Sequence, residues 1–197
     1  SLQDASPEND MERWNTLNRW RQQGIVRQRL TVMPGIRNLL QFTDSELFAG
    51  SGDHRLRLGP AKLVVTLTTG TIHPSVEEVR DLVLHAHQQG FSVAIHAVEE
   101  EVIMAVLHAL LRVRREQSSH RLLDRIEHCS EATPRVQALL KGAGVTVTTQ
   151  PSFVYESGER YATRVPRETQ PWLYPLRTLL NLGLSLAAGS DAPVSSP

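Results

Sequence analysis

The chain has 197 residues, with 21 Lys and Arg balanced by 21 Asp and Glu, so nothing in its zero net charge favours nucleic acid or an anionic membrane surface as a partner. A composition 40% hydrophobic and 21% charged fits a soluble globular protein, and the length suits one domain over residues 1–197 with a sizeable core. The lone cysteine, Cys129, excludes an internal disulfide framework, and no apolar run approaches the ~20 residues of a membrane span, so the expected location is cytoplasmic.

In chain order, residues 9–23 carry Met11, Trp14, Leu17 and Trp20 near helical spacing and stop before Gly24. Residues 25–33 and 61–68 are short apolar strands. Residues 75–89 run from Ser75, an N-cap, through Glu77 and Glu78 to Gly90, and predict a helix. A strand over 91–97, a helix over 98–115 and a strand over 124–130 follow. Pro134 opens a helix that ends at Gly144, and strands at 145–151 and 184–191 flank a helix over 172–182. Residues 150–172 read as a long polar and aromatic loop. Strand and helix alternate strictly, which predicts a parallel sheet with crossover helices. A doubly wound sheet and a (β/α)₈ barrel both satisfy the pattern, but no Gly-x-Gly-x-x-Gly follows a strand.

Eight histidines must be sorted. His85 and His87 fall near the end of the 75–89 helix, where residues two apart point roughly 200° from one another and cannot share a metal. His108 falls in the next helix, and His54, His73 and His120 fall in loops or turns; all are expected to be structural or solvent-facing. His96 and His128 differ, each at the carboxyl end of its own strand, and Asp191 ends the last one. Strand ends of a parallel α/β fold converge on one face. Two imidazoles and a carboxylate delivered there form a ligand set suited to Zn²⁺, and also to Fe²⁺ or Mn²⁺.

The ordered motifs "SVAIHAVEE", "RIEHCS", "VTTQPSF" and "LAAGSDAPV" resemble the amidohydrolase superfamily, specifically its amidohydrolase-3 branch, from about residue 55 to the end. Upstream, "QDAS" at residues 3–6 is similar to the end of an earlier barrel strand. The resemblance implies a distorted (β/α)₈ barrel, represented here by about strands two to eight. Strand one with its His-x-His pair and the terminal β-sandwich are missing, so the chain reads as a piece of a longer enzyme. It implies that His96 and His128 ligate one or two divalent ions and that Asp191 ligates metal and takes the proton of the attacking water. His128 is either a ligand or an electrophilic contact to the substrate oxygen. Lys62 aligns with a strand-four lysine that is carboxylated in many members; it is either such a bridging ligand or an ion-pair partner.

The expected activity is hydrolysis of a carbon–nitrogen bond in a small amide-type substrate, with Gln150, Ser152 and Phe153 lining the pocket. Glu127 points away from His128 and reads as structural, and Cys129 has no base beside it. The alternative is a catalytically inactive relative that serves as a scaffold. Sheet edges left open in a partial barrel lead to an expectation of self-association.

Overall fold

A computed structural model describes residues 1–116 and 122–195. The strands are β1 (Leu2–Asp4), β2 (Leu30–Val32), β3 (Leu56–Leu58), β4 (Ala61–Val64), β5 (Thr66–Thr68), β6 (Thr71–His73), β7 (Val93–Ala97), β8 (Arg125–His128), β9 (Thr146–Thr149) and β10 (Leu186–Ala188). The helices are α1 (Met11–Gln22), α2 (Leu39–Thr43), α3 (Val76–Gln88), α4 (Glu100–Glu116), α5 (Pro134–Ala143), α6 (Ser152–Arg164) and α7 (Leu176–Asn181). The chain divides into two compact units, Ser1–Val64 with Asp81–Ala94, and Val65–Arg80 with Ile95–Pro197.

In the first unit β1, β2 and β3 form a parallel sheet in that order, with Leu2 opposite Leu30 and Leu30 opposite Leu56. The Asp10 carboxylate caps α1 by accepting from the Arg13 N–H at 2.9 Å. Val32, Met33, Leu39, Phe42 and Phe91 are sealed in this unit's core. At β4 the Lys62 N–H donates to the Pro34 carbonyl at 2.8 Å, and Lys62 bridges Gly35 in parallel register.

In the second unit β8, β9 and β10 pair in parallel, with Ile126 opposite Val147 and Val147 opposite Leu186. The Cys129 N–H donates to the Ala97 carbonyl at 3.0 Å, which ties the end of β8 to the end of β7. Helix α4 buries Val102, Ile103, Val106, Leu107, Leu110 and Val113, one stripe at helical spacing. Each such side chain contributes roughly 1.5–3 kcal/mol on burial, and this stripe fixes α4. Helix α5 starts at Thr133, whose hydroxyl accepts from Val136 N–H, and ends at Gly144 in the left-handed conformation.

The parallel α/β pattern and the helices α1, α3, α4 and α5 match the sequence reading. The strand expected over 25–33 is reduced to β2, Leu30–Val32, and three further segments differ. The strand expected over 61–68 breaks after β4, because Thr69 and Gly70, both at positive φ, turn β5 back antiparallel onto β6. His73 therefore ends a strand, not a loop; His120 lies outside the described residues. The region read as a long loop after β9 contains α6, a helix none of whose residues is fully buried. The helix expected from residue 172 begins only after Pro175, preceded by a single 3₁₀ turn over Gln170–Trp172. No helix among the described residues is long and apolar enough to cross a membrane.

Candidate functional site

β7 delivers His96 and β8 delivers His128, each one at or next to the last residue of its strand. Their rings meet edge to face, with centroids 4.5 Å apart and planes at 74°. His128 is 7% exposed and its Nδ1 lies 2.7 Å from Oε1 of Gln150, itself 3% exposed, directly after β9. Phe153, in the first turn of α6, stacks on His128 at 6.4 Å and 17°, and Tyr174 meets Phe153 edge-on at 6.2 Å. The Tyr174 and Tyr161 hydroxyls are 3.1 Å apart, and burial raises the Tyr174 phenol above its ordinary pKa. One side of the His128 ring is thus backed by Phe153 and, behind it, Tyr174.

The backbone here is held in sparsely populated conformations. His128 and Cys129 have φ of 70° and 51°, Tyr174 47° and Asp191 57°. Each costs of order 1–2 kcal/mol outside glycine, and residues kept so against that cost cluster at functional sites. At the end of β8 two such residues in succession turn the chain sharply away from the strand.

The Glu131 carboxylate accepts from the Glu100 N–H at the start of α4, at 3.0 Å. Its pKa is raised, first by partial burial and further by Glu99, Glu101 and Glu100, against the lowering effect of that hydrogen bond. Burial pushes the Cys129 thiol up to about 12, so no thiolate forms there near neutral pH. Glu127 is buried and paired with Arg125, in line with a structural role.

Of the residues singled out from sequence, the structure brings together His96, His128, Gln150 and Phe153. Ser152 instead faces Ser195, with their hydroxyls 3.0 Å apart, and Ser195 donates to Glu156 at 2.9 Å. Asp191 is exposed after β10, its carbonyl accepting from the Val194 N–H at 2.9 Å. Lys62, 5% exposed, belongs to the first unit. Among the described residues no three His, Cys, Asp or Glu side chains gather closely enough to hold a metal ion. The donors present are imidazoles, and the Nδ1 of His128 is engaged by Gln150, the kind of outer partner that ligating histidines have. The contact of Gln150 with His128 had no signal in sequence, because it depends on the parallel register of β8 and β9.

The fold is thus a parallel α/β one with two histidines at the ends of neighbouring strands, β7 and β8. The sequence profile described as the amidohydrolase family matches residues 9–197, and the chain belongs to that family. The match begins well upstream of residue 55, where the motif resemblance starts.

An N-substituted formamide deformylase from Arthrobacter pascens is 29% identical over 120 residues, 60% of this chain and 22% of that protein. A putative amidohydrolase, YtcJ, from Bacillus subtilis (strain 168) is 25% identical over 118 residues, again 60% and 22%. An uncharacterized metal-dependent hydrolase from Pyrococcus furiosus has the same fold, with a TM-score of 0.82 at 20% identity, over 99% of this chain and 42% of its own. The matches thus span about a fifth of the curated relatives and less than half of the solved chain.

Proposed function

We propose that the protein carrying this chain is a metal-dependent hydrolase that cleaves a carbon–nitrogen bond in a small amide-type substrate. The observation that carries this reading is the edge-to-face pairing of His96 with His128 at adjacent strand ends, backed by Gln150. Membership of the amidohydrolase family and the fold shared with a metal-dependent hydrolase support it. The similarity to an N-substituted formamide deformylase makes N-formyl amines the first substrates to try.

His96 and His128 would hold the cation, and zinc suits neutral imidazole best, with iron or manganese as substitutes. When bound, the cation polarises the substrate carbonyl and acidifies water. Asp191 is the carboxylate we assign to take a proton from the attacking water and return it to the leaving nitrogen. Phe153, backed by Tyr174, would shield one side of His128 from water and offer an apolar surface to the substrate. Ser152, at the start of α6, is assigned to the rim of the pocket.

Lys62, carboxylated, would serve a second ion in the whole protein, which we read as a (β/α)₈ barrel of which this chain supplies about strands two to eight. We read the protein as cytoplasmic, with β1 and β10, which end their sheets, as the places where further strands or a second copy add.

The test is hydrolysis of a panel of N-formyl and N-acyl amines by the full-length protein, before and after chelator treatment and with Asp191→Asn. The expected outcome is chelator-sensitive activity, restored by zinc, that falls by about 100-fold or more without the Asp191 carboxylate. Hydrolysis that survives complete metal removal would contradict the reading.

A further inference from the structure

We infer that Gln150 is a positioning residue for His128, fixing its imidazole as the Nδ1–H tautomer so that Nε2 is the atom presented for ligation. The inference rests on the reading of His128 as a metal ligand and goes beyond it by assigning the atom that ligates and the residue that selects it.

The argument starts from the chemistry of the two groups. Gln150 Oε1, 2.7 Å from His128 Nδ1, is an amide oxygen and can only accept. The proton of this bond therefore sits on Nδ1, and in a neutral ring the basic lone pair is then on Nε2. Both side chains are buried, so water does not compete for the bond, and the bond is stronger for it.

The fold sets the distance. β8 and β9 are paired in parallel with Ile126 opposite Val147 and Glu127 opposite Thr148. His128 is the last residue of β8, and Gln150 is the first residue after β9. The two therefore emerge at the same end of one ladder. Phe153 stacks on the His128 ring and His96 meets it edge to face, so the plane of the ring is held as well as its tautomer.

This assigns Gln150 a different role from the substrate contact expected of it in sequence. Its carbonyl oxygen is committed to His128. A glutamate at this position can accept the same hydrogen bond, whereas a leucine of similar size cannot.

The experiment uses the full-length protein with its histidine ring nitrogens labelled with ¹⁵N and its metal removed, followed by titration with Co²⁺ alone. In the wild type, the His128 spectrum is expected to place the proton on Nδ1 and an unprotonated nitrogen at Nε2. Gln150→Leu should interconvert between tautomers and bind Co²⁺ about 10- to 100-fold more weakly, the range typical of losing an outer partner of a ligating histidine. Gln150→Glu should keep the Nδ1–H form and recover most of the affinity, a rescue that a merely space-filling role would not produce.

Protonation at Nε2 in the wild type would overturn the inference. So would a Gln150→Leu variant with the wild-type tautomer and undiminished Co²⁺ affinity. Should Gln150→Leu fail to fold, the wild-type tautomer and the Gln150→Glu variant still decide it. A wild type with the fixed tautomer but no Co²⁺ binding would contradict the metal-dependent hydrolase reading, while supporting the hydrogen bond's control of the ring.

Discussion

The two histidine groups of this chain make an instructive contrast. His85 and His87 are neighbours in sequence with the spacing of many metal motifs, whereas His96 and His128 are 32 residues apart. Yet His85 and His87 fall in the last turn of α3, where residues two apart diverge, and His96 and His128 end adjacent strands with rings 4.5 Å apart. Secondary structure, not proximity in sequence, decides which side chains converge.

The largest effect that could break this contrast is on hydrolysis by the full-length protein. Replacing His96 or His128 by Ala should cost more than the roughly 10- to 100-fold typical of losing an outer ligand partner. Replacing His85 or His87 should leave turnover within about twofold and stability within about 1 kcal/mol, the scale of a helix-terminus interaction. Steady-state kinetics on the four single variants check both halves. Equal losses in the two groups would erase the distinction.

A smaller effect sharpens it by testing what holds the strand-end pair in place. Phe153→Ala removes the ring stacked on His128, and aromatic pairs contribute about 0.5–1.5 kcal/mol beyond the area they bury. Denaturant unfolding should report a loss near 1 kcal/mol or somewhat above. No change would mean that Phe153 does not support His128.

The smallest expected effect concerns Glu131, whose carboxyl is raised in the folded protein. A carboxyl raised on folding stabilises the fold relative to higher pH: its contribution is complete below the unfolded value near 4.5 and is lost as pH rises through the folded value. Glu131→Gln keeps an oxygen for the Glu100 N–H and removes the charge. The variant should therefore gain on the wild type as pH rises from 4.5 towards neutrality, by less than about 1 kcal/mol given the solvent exposure of the group. Urea unfolding at pH 4 and pH 7 checks the sign; a variant that loses ground on the wild type between pH 4 and pH 7 would contradict it.

Much of this fold is legible in the sequence because its buried elements carry the signals that burial requires. The stripe along α4, the Thr133 cap with Pro134, and Gly144 after α5 all fix their elements without tertiary knowledge. The segments that were not legible lack such signals. β3 is three residues long, and the hairpin of β5 and β6 hinges on positive φ at Thr69, a residue that gives no sign of it in sequence. The candidate site divides the same way. The strand-end positions of His96 and His128 follow from the alternation of elements. The Gln150 and Phe153 contacts depend on the register of β8 with β9 and on the unforeseen start of α6, and those are properties of packing.

The most direct test of the central claim, that the strand-end pair is the metal centre, is elemental analysis of the purified full-length protein. The wild type would be compared with His96→Ala/His128→Ala and with His85→Ala/His87→Ala. The account predicts near-stoichiometric zinc, iron or manganese in the wild type and the helix variant, and its loss from the strand-end variant alone. Metal retained when both His96 and His128 are gone would contradict it.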